Sequence, residues 1–202
     1  LEIKNAPLIP ITETVIYPGI STRIYVNDDI GNNIKELIVK NNTLAIGLST
    51  KDYKGLVQLT ADSFYRIGVL MKFDNIQKSD TGYIIDITTI NRVKVYDFTF
   101  EEKQITASYA DQEDIMDITE AEEQEMIVYI KGLMKDLSTK FKGTEYFITI
   151  LDGLLSLEEL MGYTVPMMGI PLKSKQGLLE VDSIKERALN FIDYIIREKD
   201  SV

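Results

Sequence analysis

Apolar and polar positions alternate along most of the first half of the chain, and near residue 117 the period lengthens to that of a helix. Residues 20–26, 43–48 and 65–73 are rich in β-branched and aromatic side chains and predict strands. In the third run Tyr65, Ile67, Val69, Met71 and Phe73 alternate with Arg66, Gly68, Leu70 and Lys72, which predicts one buried face. The turn formers Ser79, Asp80, Thr81 and Gly82 follow, and Tyr83, Ile85 and Ile87 resume the alternation, so residues 65–90 read as a long hairpin. Over 92–100 the apolar phase slips by one, from Val93 and Val95 to Tyr96, Phe98 and Phe100. A strand changes its buried face only at a bulge or bend, so one is expected there. One helix interrupts the strands: Ile30, Ile34, Leu37 and Ile38 share a face of residues 28–40.

The second half carries three capping boxes, Thr119 with Glu122, Ser156 with Glu159 and Ser183 with Glu186. Behind the first, Met126, Ile130, Leu133, Leu137 and Phe141 fall at helical spacing; behind the third, Ile184, Ala188, Phe191, Ile192, Ile195 and Ile196 do. Further helices are expected over 144–155 and 157–161. The chain therefore reads as α+β, with a β-rich part over 1–116 and a helical part over 117–202. Pro7, Pro10 and Pro18 punctuate the opening apolar stretch. Proline cannot donate to a ladder, so these residues are expected to pin a sheet edge.

Composition narrows the chemistry. With no cysteine there is no disulfide, thiolate nucleophile or Cys-ligated metal, and with no histidine the commonest general base and metal ligand are lacking. The 22 basic and 32 acidic residues give a net charge of −10, which repels nucleic acid and anionic membrane surfaces. No apolar run is long enough to cross a membrane, and the first residues lack the plan of a signal peptide, so a cytoplasmic protein is expected. The sequon at Asn41 is short enough to arise by chance. The start at Leu1 rather than Met reads as that of a processed or trimmed chain.

Phosphate loops, dinucleotide fingerprints and nucleophile elbows are absent from the sequence. A Ser–Lys dyad would need a lysine of lowered pKa, and Lys173-Ser174-Lys175 and Ser183 with Lys185 lie where serine is a routine helix cap. Paired carboxylates are too numerous to single out. Eight acids and no base occupy 111–125. They read as a solvated linker running into a helix N-terminus rather than a calcium loop, whose glycine and closing glutamate are missing. Met161, Tyr163, Met167 and Met168 lie in a stretch, 161–172, rich in Met, Pro and Gly. It reads either as gap filler between helices or as an adaptable apolar contact surface.

The order of these features resembles the N-terminal substrate-recognition domain of Lon, the ATP-dependent protease La. Pro7, Pro10, Ile11, Glu13, Val15, Ile16, Tyr17 and Pro18 resemble that domain's opening, and Ile24, Tyr25 and Val26 its next strand. Phe64 to Val69, the Asp80-Thr81-Gly82 turn, Arg92, and Gln176 to Glu180 with Arg187 follow in the family's order. Thr12 and Thr89 depart from it, standing where Arg and Gly are common, which puts surface contacts there in question.

The resemblance implies a PUA-like curved β-barrel or sheet with one helix, followed by a helical bundle. It also implies a non-catalytic domain that binds unfolded, damaged or degron-bearing proteins for an ATP-dependent serine protease, itself a homo-oligomeric ring. ATP, Mg and the catalytic Ser and Lys would belong to segments beyond this one, with no cofactor or metal here. The substrate surfaces it suggests are the sheet face around Tyr17, Pro18, Ile20 and Tyr83, and the stretch holding Met161, Tyr163, Met167 and Met168. A free-standing adaptor of the same shape, a PUA-like RNA-binding module and a carboxylate hydrolase are the alternatives.

Overall fold

The structure, a computed structural model, describes residues 1–139 and 145–201. It divides into two compact units, Leu1–Glu113 and Asp114–Val202. The first holds β1 (Lys4–Ile11), β2 (Ser21–Val26), α1 (Asp28–Val39), β3 (Leu44–Ser49), β4 (Ile67–Lys78), β5 (Tyr83–Phe100) and β6 (Ile105–Asp111). The second holds α2 (Glu120–Ser138), α3 (Glu145–Asp152), α4 (Leu157–Thr164), α5 (Leu172–Glu180) and α6 (Ile184–Asp200).

The strands form one curved sheet in the order β2-β5-β4-β3-β1-β6, with β6 also bonded to β5. The long β5 makes this possible. Its first half pairs with β2 and its second half with β6, so the far strand of the sheet curls back onto β5 and β2 is left outside. The expected hairpin is β4 and β5, and the predicted face is buried at Ile67, Val69, Met71, Phe73, Tyr83, Ile85 and Ile87. The β5–β6 register shifts between Val95 and Asp97, where the apolar phase slips. Val95 is buried, Phe98 stacks on Phe64 with centroids 5.2 Å apart, and Tyr96 stays exposed. The bend spares Tyr96 from the core instead of turning it inward.

Pro7 and Pro10 stand on local edges inside the sheet order, and Pro18 lies in the loop after β1. β1 lies between β3 and β6, but it changes partner at Leu8: Lys4 to Leu8 pair with β6, and Leu8 to Ile11 with β3. Each half is thus bonded along one side, which leaves room for Pro7 and Pro10 without a lost ladder bond. The loop from β1 to β2 is tied down by Thr89, whose hydroxyl donates to the Tyr17 carbonyl at 2.7 Å and accepts from the Ile20 N–H at 3.0 Å. Thr89 is therefore a buried anchor and not a surface position. α1 begins at Asn27, whose side chain accepts from the Ile30 N–H at 2.9 Å. Ile30, Ile34 and Leu37 form its buried face, and Gly31 lies under the Tyr83 ring.

In the second unit α2 starts with the complete Thr119–Glu122 box. Its buried residues are Ile127, Ile130, Met134 and Ser138, so the buried stripe is rotated from the expected one and shares only Ile130 with it. Phe141 and the start expected at Thr144 lie outside the described residues. α6 buries Ala188, Phe191, Ile192 and Ile195 as expected, and packs against α2 and α5. The Ser156 and Ser183 hydroxyls accept from the Glu159 and Glu186 N–H groups, but the return bonds differ from a simple box. Glu159 accepts from the Leu155 N–H, one residue earlier. At α6 the anchor is Asp117, which accepts from the Ser183 hydroxyl and from the Lys185 N–H at 3.0 Å.

The acidic run is accordingly not a plain solvated linker. Ile115 bridges to Ser183, and Asp114 lies 2.8 Å from the largely buried Arg187 guanidinium. Lys185 reaches Glu122 at 2.8 Å. The acids at 114, 117 and 122 hold this segment on the start of α6.

Candidate functional site

The sheet-face residues expected to contact substrate are core. Tyr17 is 2% exposed, and Pro18, Ile20 and Tyr83 are buried with it. The Tyr83 hydroxyl donates to Asn32 Oδ1 at 2.7 Å and the Lys78 ammonium lies 4.7 Å from its ring centre, so α1 and the end of β4 hold this side chain in place. The exposure that a contact role needs is missing at all four: the loop from β1 to β2 folds Tyr17, Pro18 and Ile20 inward, and α1 covers Tyr83.

Within the second unit the methionine stretch divides. Met161 and Met168 are buried and fill space between helices, Tyr163 is half-buried, and Met167 is 67% exposed. Met167 lies in a single 3-10 turn, Val165–Met167, that follows α4 directly. Beside it opens an apolar groove of about 210 Å³, lined by Met134, Leu137, Phe147, Met167, Met168 and Ile195. Three polar residues, Ser138, Thr164 and Glu198, join the lining. The Thr164 hydroxyl is buried without a hydrogen-bond partner among the described residues, and Glu198 Oε1 accepts from the Gly169 N–H at 3.1 Å. The volume suits one large apolar side chain, with an unused hydroxyl at its wall and a carboxylate at its rim.

A wider groove of about 780 Å³ on the first unit had no forecast in the sequence. It runs between α1, the Leu56–Gln58 turn and the connection from β5 to β6, with Val39, Val57 and Lys103 along it. Val57 is 95% exposed, presented by Gly55 at φ 120°. Only that glycine hinted at the feature, and a lone glycine in a loop has many explanations.

Hydrolytic chemistry finds little support. Ser183 is a helix cap bonded to Asp117, and its neighbour Lys185 has a raised pKa, first through its hydrogen bond with Glu122. Such a lysine is a poor base. Burial lowers the pKa of Lys175, whose ammonium donates to the Pro166 carbonyl at 2.7 Å. No cluster of three or more metal-ligating side chains occurs among the described residues, and no described helix is long and apolar enough to cross a membrane.

A curved six-stranded sheet followed by a helical unit defines a mixed α/β fold. The family model of the ATP-dependent protease La (LON) substrate-binding domain matches residues 5–197, and the chain belongs to that family. It is 34% identical to a Lon protease of Clostridium beijerinckii and 30% identical to one of Methanosarcina barkeri, each over 100% of this chain. The chain spans 26% and 25% of those relatives' lengths. Among solved structures, the N-terminal domain of Mycobacterium avium complex Lon protease matches with a TM-score of 0.73 at 15% identity, covering 95% of this chain and 98% of that one. The Lon N-terminal domain protein of Xanthomonas campestris matches at 0.61 and 10% identity, covering 94% and 98%. These share the curved sheet and helices described above.

Proposed function

We propose that this chain is the substrate-capturing segment of an ATP-dependent Lon-type protease, and that it binds unfolded, damaged or degron-bearing polypeptide without cleaving it. The observation that carries the reading is the match of a substrate-binding family model along nearly the whole chain, residues 5–197. The apolar groove at Met167 gives that role a surface. Its size admits one Leu-, Phe- or Met-sized side chain, exposed in unfolded chains and buried in folded ones. Glu198 at the rim and the net charge of −10 favour apolar segments flanked by Lys or Arg over acidic ones. Motor and protease chemistry, with ATP and Mg, belong on this reading to the rest of the protein, in a cytoplasmic homo-oligomeric ring.

The test is fluorescence anisotropy with a reduced, carbamidomethylated polypeptide and its native, disulfide-intact form. Saturable binding of the unfolded form alone is expected, with no release of peptide fragments. Equal binding of the native form, or none of either, overturns the reading. Binding of labelled RNA that weakens steeply with salt would move the assignment to nucleic acid.

A further inference from the structure

β2 ends the sheet, pairing from Ser21 with Thr88 to Val26 with Tyr83 and with no strand but β5 among the described residues. In an antiparallel ladder, main-chain groups point alternately toward and away from the neighbour. The bond from the Thr89 N–H to the Ile20 carbonyl, 2.8 Å, sets the phase. Thr22, Ile24 and Val26 therefore address β5, and Arg23 and Tyr25 turn their N–H and C=O outward. Neither finds a main-chain partner for them among the described residues. The edge is open to solvent, with Tyr25 71% exposed and Arg23 exposed.

Soluble proteins usually blunt such an edge with proline, lysine, a bulge or a covering element. The outer part of β4 does so, with a register shift between Phe73 and Asn75 and with Asp74 and Lys78 in its last residues. β2 has none of these devices. Its register is regular, and its one charge, Arg23, is engaged with Asp86 on β5 at 2.9 Å.

We propose that the outer edge of β2 is a strand-addition site for an extended segment of unfolded polypeptide. The proposal rests on the functional reading above and adds a mode of recognition to it. Main-chain bonds to Arg23 and Tyr25 hold a segment without regard to its sequence, and the Tyr25 ring offers a contact for its side chains. Complementarity of hydrogen bonds selects this occupant. A segment of unfolded chain has free N–H and C=O groups along its whole length, whereas a folded protein has spent all but those at its own strand edges.

The probe is a labelled peptide of about 12 residues, rich in Val and Thr with one Lys at each end, long enough to span a strand of this length. It is compared with the same peptide N-methylated at every one of its central residues, so that neither edge of the extended peptide can donate. Methylation is expected to weaken binding about tenfold or more, since several main-chain bonds are lost together. Arg23→Pro, which removes an outward donor and leaves the bonds to β5, is expected to do the same. Arg23→Ala controls for the charge. Equal binding of both peptides overturns the proposal and leaves the functional reading standing. Failure of the parent peptide to bind, while the carbamidomethylated polypeptide binds, also overturns it. Failure of both overturns the functional reading as well. If Arg23→Pro dissolves a dimer seen by size exclusion and peptide binding is unchanged, the edge joins two copies of this chain and the proposal fails.

Discussion

The guanidinium of Arg187 lies 2.8 Å from the carboxylate of Asp114, the first residue of the helical unit, and its Nε donates to the Val181 carbonyl at 2.9 Å. Only 10% of the Arg187 side chain is exposed, so the charge depends on these partners for what water would otherwise supply. Asp114→Asn keeps the shape and removes the counter-charge. The expected loss is about 1–3 kcal/mol, below the figure for a fully buried pair because Asp114 is partly solvated. Urea unfolding followed by far-UV circular dichroism reads it. An unchanged midpoint would mean that the carbonyl bonds suffice.

A second dependence is steric. A Cβ on Gly31 would lie 2.0 Å from Cδ2 of Tyr83, so α1 approaches the β4–β5 hairpin more closely than an alanine permits. Gly31→Ala is expected to cost about 1–3 kcal/mol by overpacking. Tyr83→Leu should recover part of that loss in the double variant, although alone it sacrifices the bond to Asn32. Additive losses from the two changes would place the strain elsewhere.

The hairpin, α1, the phase slip near Val95 and the capped starts of α2, α4 and α6 were legible because each depends on local periodicity or a local cap. Other features depend on contacts distant in sequence. Tyr17, Pro18 and Ile20 resemble a sheet face, yet Thr89, some seventy positions away, ties their loop into the core. Asp117 resembles one more linker acid until Ser183 is brought to it. α5 begins at Leu172, after Pro171 and without a side-chain cap, so no capping residue marked its start in the sequence. Among the candidate contact residues, nothing in the local pattern separates Met167 from Met168. Their difference arises in the single turn after α4.

Acidification acts on the helical unit in two opposed directions. Burial, then the charge of Asp114, raises the pKa of Glu158, so in the folded state this carboxyl binds its proton more readily than in the unfolded chain. Its contribution is favourable below the unfolded value and is lost as pH rises through the folded one. Hydrogen bonds lower the pKa of Asp117, from Ser183 first, and of Glu122, from Lys185 first. Their contribution is present above the unfolded value and is lost as pH falls through the folded one. Glu158→Gln should therefore raise the melting temperature at pH 7, with the gain vanishing toward pH 4. Ser183→Ala should lower it at pH 7, with a smaller deficit in acid. Thermal melts between pH 3 and 7 test both, and parallel profiles for the three proteins would contradict the assignment.

Met167 and Met168 are adjacent, yet one is exposed and the other buried, so substitutions there separate binding from stability. Met168→Ala removes buried volume beside α6 and should lower stability by about 2–4 kcal/mol. Met167→Ser removes an exposed side chain and should change stability by less than about 0.5 kcal/mol. If the groove receives apolar side chains of unfolded polypeptide, Met167→Ser weakens that binding by about three- to tenfold, and Met167→Glu weakens it further by adding a second acid near Glu198. Filling the groove from within by Thr164→Met should block binding while removing a buried hydroxyl that has no partner among the described residues. Anisotropy titrations beside melts of the same samples separate the effects. Unaltered affinity in Met167→Glu, with the fold intact, would remove this groove from the capture surface and leave the β2 edge as the one to test.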